Sequence, residues 1–263
     1  MCRWVAYVGE PVYLCSLICD PEHSLIDQSI NAREAKTGIN GDGFGLGWYG
    51  DRAEPGLYRE VLPAWSDENL RHIARQVRSR LFFAHVRAST GAATSRTNCH
   101  PFTLGKWLFM HNGQIGDYCR VRRAIEGWIP DELYNRRTGS TDSEALFLAA
   151  SARGLETDPV GAIRQVLADT LDLMRRNGVT TALRFTAALT DGERIYAFRT
   201  ASDEHSPSLY WRTEGGSTYV VSEPLDDVRD SWSAVPSHHV LIAERDGQTR
   251  IEAFDIESTA LAA

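Results

Sequence analysis

Short apolar runs separated by polar turns occupy both ends of the 263-residue chain, and helical spacing of apolar residues marks its middle. The runs at 3–8, 44–49, 81–87 and 106–111 are rich in aromatic or β-branched side chains and predict strands. A second set comes late. Residues 181–190 and 194–199 flank Asp191-Gly192, and 239–244 and 249–254 flank Arg245-Asp246-Gly247, so each pair predicts a hairpin. Residues 209–212 and 218–222 add two more strands. Between the sets, Ser66 followed by Asp67 and Glu68 opens a run in which Leu70, Ile73, Ala74, Val77 and Leu81 recur at helical spacing. Thr141 and Glu144 form a capping-box pair ahead of a helix over 145–152. Asp158 and Pro159 start a third helix, carrying Ile163, Val166, Leu167, Leu171 and Met174, which Asn177-Gly178 can stop. Strands, then helices, then antiparallel hairpins predict an α+β layered sandwich, two sheets packed together with helices outside.

Composition narrows the class of protein. Hydrophobic residues make up 43% and charged residues 24% of the chain, which excludes disordered and collagen-like classes. With 28 basic against 35 acidic residues, a net charge of −7 and no basic cluster, neither nucleic acid nor an anionic membrane surface is an expected partner. The longest apolar stretches, 12–19 and 145–150, fall well short of the roughly 18 residues of a membrane span. The N-terminus has no basic leader, and Gly9, Glu10 and Pro11 interrupt its apolar region, so the expected location is cytoplasmic. With no repeat and no long linker, a single domain over 1–263 is expected. The five cysteines, at 2, 15, 19, 99 and 119, are irregularly spaced and read as free thiols, with Cys15 and Cys19 on a buried helix.

Four local patterns carry chemistry. Cys2 follows the initiator Met, and once Met1 is removed one residue holds both a thiol and an α-amine that titrates near pH 8, a nucleophile with its own base. Ala84-His85-Val86-Arg87-Ala88-Ser89-Thr90-Gly91 ends a strand with an Arg at the rim, where a guanidinium can grip a carboxylate in a fork or stand as a surface charge. His111-Asn112-Gly113 can supply a side-chain amide and a backbone N–H to an oxyanion, or form an Asn-Gly turn. Thr141-Asp142-Ser143-Glu144 sets a carboxylate in a helix's first turn, able to receive an ammonium group or to cap the helix. Gly45-Leu46-Gly47-Trp48-Tyr49-Gly50 matches the letter of a dinucleotide fingerprint, but it lies in a strand pattern with no helix after it, so nucleotide binding is not expected there. His205, His238 and His239 lack the arrangement of a metal site.

In this order the four patterns resemble the class II glutamine amidotransferases, which are N-terminal-nucleophile hydrolases. The resemblance implies a four-layer αββα sandwich and a glutamine amidotransferase type 2 domain. It makes Cys2 the nucleophile, Arg87 the holder of the substrate α-carboxylate with Thr90 nearby, Asn112 and Gly113 the oxyanion hole, and Asp142 the holder of the α-amino group. Asn98-Cys99-His100-Pro101-Phe102 resembles the segment preceding the family's His-Asn-Gly strand. Two departures set the chain apart from the large synthase members: Ala88 replaces their aromatic residue, and the loop before Asp42-Gly43-Phe44-Gly45 lacks their arginine-glycine pattern. Met1-Cys2-Arg3 and Pro21-Glu22-His23-Ser24-Leu25 are similar instead to small stand-alone γ-glutamyl hydrolases, including the one of ergothioneine biosynthesis.

The expected reaction is cleavage of the γ-glutamyl amide bond of glutamine or a small γ-glutamyl compound through a Cys2 thioester, with no metal or organic cofactor. Two other readings stand beside it, a glutaminase subunit that delivers ammonia to an acceptor-enzyme partner and an inactive binding module of the same fold.

Overall fold

The computed structural model describes residues 2–34, 38–89, 93–228 and 231–256. Its first half contains β1 (Arg3–Tyr13), α1 (Cys15–Ile18), α2 (Leu25–Ile30), β2 (Phe44–Trp48), β3 (Gly56–Glu60), α3 (Glu68–Gln76), β4 (Arg78–Val86), β5 (Phe102–Leu104), β6 (Trp107–Gln114), α4 (Tyr118–Glu126) and α5 (Asp131–Tyr134). Then follow α6 (Asp142–Ser151), α7 (Pro159–Arg176), β7 (Arg184–Thr190), β8 (Ile195–Ala201), β9 (Tyr210–Glu214), β10 (Ser217–Val221), β11 (Ser233–Ala234), β12 (His239–Ala243) and β13 (Thr249–Ala253).

Two antiparallel sheets result. One runs in the order β11-β9-β10-β1-β4-β2-β3 and the other β13-β12-β8-β7-β6-β5. Their strands read as nearly continuous apolar runs because both faces of each sheet are covered. Trp4, Ala6 and Val8 of β1 and Leu81 and Phe83 of β4 meet Leu108 and Met110 of β6, Ala188 of β7 and Ala197 of β8 between the sheets. Their alternating neighbours Val5, Tyr7, Phe82, Ala84 and Val86 pack under Leu17, Ile18, Leu25, Ile26 and Leu70 of α1–α3. On the far side, Phe109, Phe185, Ala187, Leu189 and Phe198 pack under α4, α6 and α7. Three cores separate four layers, which is the expected αββα sandwich. Helix α6 is buried from Ser143 to Ala150, wedged beside α4 and α7 on its sheet, and is accordingly apolar all round. No helix among the described residues is long and apolar enough to cross a membrane.

The structure differs from the sequence reading in three places. The helix expected from Ser66 starts one residue later, where Asp67 caps it by accepting the Leu70 N–H at 2.9 Å. It stops at Gln76, because Arg78 pairs with Tyr13 and draws Leu81 into β4. Thr141 caps α6 through the Glu144 N–H, but the Glu144 carboxylate does not return to the cap and instead accepts the Thr138 and Gly139 N–H groups. His111-Asn112-Gly113 does not make the turn open to an Asn-Gly pair. It lies inside β6, because Leu108 to Gln114 pair with β7 and hold the Asn-Gly step out of a turn.

Candidate active site

Strand register assembles the site. Arg3 of β1 lies opposite Val86, the last residue of β4, so the residue before Arg3 comes level with the residues after Val86. Cys2 is half-buried there, its Sγ accepting the Ala88 N–H at 3.3 Å. From the other sheet β6 brings Asn112, whose Nδ2 donates to the Cys2 carbonyl at 2.6 Å. That bond uses one of two amide hydrogens and leaves the second for a ligand. Gly113 beside it has φ +145°, and a Cβ there would stand 1.9 Å from the Arg184 carbonyl oxygen. Only glycine fits this position on the present backbone.

Cys2, Arg87, Gly113 and Asp142 line one cavity of about 830 Å³. Buried Arg87 donates to the Asp42 carbonyl at 3.4 Å and to Ser89 Oγ at 3.2 Å, contacts that steady the plane of its guanidinium. The Asp42 carboxylate in turn accepts the Ser89 N–H at 2.7 Å. Asp142 accepts the Ile115 N–H on one oxygen and the Ser143 N–H on the other, so its carboxylate is fixed at the cavity wall. A buried Arg and a fixed carboxylate thus face the same space as a thiol, with the Asn112 amide against the Cys2 carbonyl beside it. Thr90, expected beside Arg87, lies outside the described residues.

Burial pushes the Cys2 thiol up, opposed by the Ala88 N–H and by the positive charges of Arg87 and Arg3. The resting sulfur therefore holds its proton. Burial also pushes three nearby imidazoles down: His85 to about 3, His100 well below its usual range, and His111 against the pull of the Asp142 charge. All three are neutral at working pH. The His111 Nε2 lies 3.3 Å from the Arg184 carbonyl and its Nδ1 2.9 Å from Ser143 Oγ, an arrangement in which Nε2–H donates to the carbonyl and Nδ1 accepts the hydroxyl proton. Asp42, Ser89, Ser143 and the His85–His100 pair escaped the sequence reading as site residues. Their signal was adjacency, since each neighbours or sits within a quoted pattern. The Gly45–Gly47 segment lies in β2, with β3 after it and no helix between.

Comparison with known proteins decides the family. A profile described as glutamine amidotransferases class-II matches residues 14–210, a span that holds Arg87, Asn112, Gly113 and Asp142. The chain belongs to the class II glutamine amidotransferases. Within that family it is 34% identical to the Probable glutamine amidotransferase DUG3 of Saccharomyces cerevisiae, over 93% of this chain and 82% of that protein. It is 31% identical to the gamma-glutamyl-hercynylcysteine sulfoxide hydrolase of Mycolicibacterium smegmatis, over 92% and 95%. Among solved structures, a glutamine aminotransferase class-II domain protein from Silicibacter pomeroyi is 39% identical, with TM-score 0.76 and coverage of 96% of this chain and 99% of that one.

Proposed function

We propose that this class II amidotransferase, folded as one domain over 1–263, hydrolyses the γ-glutamyl amide bond of a small γ-glutamyl compound, with Cys2 as nucleophile after removal of Met1. The observation that carries the reading is the convergence of Cys2, Arg87, Gly113 and Asp142 on one cavity, with the Asn112 amide against the Cys2 carbonyl. Arg87 pairs with the substrate α-carboxylate and Asp142 with its α-ammonium, which excludes compounds lacking either group because the unmatched partner would be left desolvated. The α-amine of Cys2 takes the thiol proton. Sulfur then bonds to the γ-carbonyl carbon, and the resulting oxyanion receives the free Asn112 N–H and the Gly113 N–H. Collapse breaks the C–N bond, and the amine leaves with the proton held by the α-amine. Water, deprotonated by the same amine, opens the γ-glutamyl thioester and releases glutamate.

The cavity supports a leaving group larger than ammonia. Its 830 Å³ lies high in the range of about 300–1,000 Å³ typical of small-molecule sites, and it continues past the clamp to Gln114, Tyr118, Cys119 and Thr181. The Mycolicibacterium relative, named for a γ-glutamyl substrate with a bulky amine portion, supports the same reading. Intact mass before and after treatment with 6-diazo-5-oxo-norleucine tests it. A chain lacking Met1 that gains one adduct, lost in Cys2→Ala together with hydrolysis of γ-glutamyl amides, is the expected result. Full hydrolysis by Cys2→Ala would overturn the mechanism. Hydrolysis that appears only when a second protein is added would point to ammonia delivery.

A further inference from the structure

We infer that His85 is a positioning residue that holds the Asn112 amide with its N–H edge toward Cys2; the inference rests on Asn112 serving as the oxyanion donor. Along β4, Phe82, Ala84 and Val86 turn to the helices while Leu81 and Phe83 turn to the space between the sheets. By that alternation His85 turns between the sheets, the side from which β6 presents Asn112. Both groups are buried, and both are incomplete. Neither ring nitrogen of His85 nor Oδ1 of Asn112 makes a well-formed hydrogen bond among the described residues. Each is the kind of partner the other lacks, and the Asn112 side chain and the His111 carbonyl both stabilise a proton on His85. His100 backs the imidazole, its ring 4.4 Å from that of His85 and itself edged by Phe102 at 4.6 Å.

The amide has two ways to lie. With Nδ2 toward Cys2, one N–H meets the Cys2 carbonyl and the second is left for an oxyanion. Turned over, Oδ1 would confront that carbonyl oxygen, and no donor would remain for an oxyanion. A neutral imidazole has a single N–H, and giving it to Oδ1 rather than to the His111 carbonyl selects the productive orientation. Substrate binding tightens this contact as the amide engages the oxyanion, since catalytic hydrogen bonds are often long before the ligand arrives.

The test is a double-mutant cycle on a γ-glutamyl amide substrate, with thermal melts confirming that each variant folds. Removing an oxyanion donor outright costs about 100- to 1,000-fold in kcat. His85→Phe, which leaves the donor in place but unguided, is expected to lower kcat about 10- to 100-fold with KM within about twofold. His85→Gln, which retains an N–H, is expected to recover most of the loss. In an Asn112→Ala background His85→Phe is expected to cost nothing further. If the Phe variant does not fold, His85→Asn, too short to reach Oδ1, takes its place in the cycle with the same expected loss. Unchanged kcat in His85→Phe, a loss confined to KM, or an undiminished loss in the Asn112→Ala background would each overturn the inference. Full kcat in Asn112→Ala would instead overturn the oxyanion assignment beneath it.

Discussion

At the scale of single residues, the site works by setting charge against burial. Arg87 is held through the Asp42 carbonyl and Ser89 Oγ, so its fork arrives oriented. Lysine would keep the charge and lose the fork. Arg87→Lys is expected to lower kcat/KM roughly 10- to 150-fold, equal to about 1.5–3 kcal/mol for a hydrogen bond to a charged group, with most of the change in KM. Steady-state kinetics on one γ-glutamyl substrate checks this, and an unchanged KM would remove Arg87 from the clamp. The same balance predicts the pH profile. Burial lowers His85, His100 and His111 alike, away from the neutral range. In the proposed mechanism the base limb belongs to the Cys2 α-amine, whose ordinary value is about 7.7–8.0. As pH falls below that value the amine is protonated and cannot accept the thiol proton. The logarithm of kcat/KM is expected to fall with unit slope from about pH 7.5 to 5.5, without an inflection near 6.5. An inflection near 6.5 would assign the base to a histidine.

At the scale of elements, β6 and its partner β7 bear the strictest constraint. A Cβ at Gly113 would collide with the Arg184 carbonyl and with His111 Nε2, so Gly113→Ala has to displace β6 from β7 where Asn112 meets Cys2. The variant is expected to lose activity by more than about 100-fold, the cost of a lost oxyanion donor, and to melt at a lower temperature. Far from the site, Asp158 caps α7 through the Gly161 N–H at 2.9 Å. Asp158→Ala is expected to cost about 1 kcal/mol in urea unfolding and to leave kcat unchanged at 25 °C. The strand cores are legible in the sequence because two buried faces demand unbroken apolar runs, and the hairpins because Gly192 and Gly247 take the positive φ their turns need. Short α2 and α5 are not legible. With four to six residues each they display no period, and packing on the sheet or local capping creates them. Gly113 lines the candidate cavity, yet Asn112-Gly113 reads as a turn, because only the distant strand β7 holds it extended.

At the scale of the whole molecule, a buried carboxylate ties the start of the chain to its late strands. Glu223, just past β10, accepts the Arg33 and Glu34 N–H groups, pairs with His23 at 2.5 Å and lies 3.6 Å from the Arg3 guanidinium. His23 reaches Asp27 with its other nitrogen, and Arg3 donates to the Ser222 and Glu34 carbonyls. The knot thus anchors the residue next to Cys2 and the entrance of the loop that leads to Asp42. Residues so far apart offered no pattern in the sequence to connect them. The Glu223 bond raises the His23 pKa, against burial and with help from Asp27. Burial alone would raise the Glu223 pKa, but His23 and the two backbone N–H groups outweigh it and the net direction is down. The signs define a window. A His raised on folding stabilises fully below its unfolded value of about 6.5, and that stabilisation disappears as pH climbs through the folded value. A Glu lowered on folding stabilises above about 4.3 and loses its contribution as pH drops through its folded value. The melting-temperature difference between wild type and His23→Gln is therefore expected to be greatest between about pH 4.5 and 6.5 and to shrink steadily above 6.5. A difference that grows from pH 6.5 to 8.5 would mean that His23 is held neutral in the fold, and the knot would then rest on Arg3 and the backbone N–H groups alone.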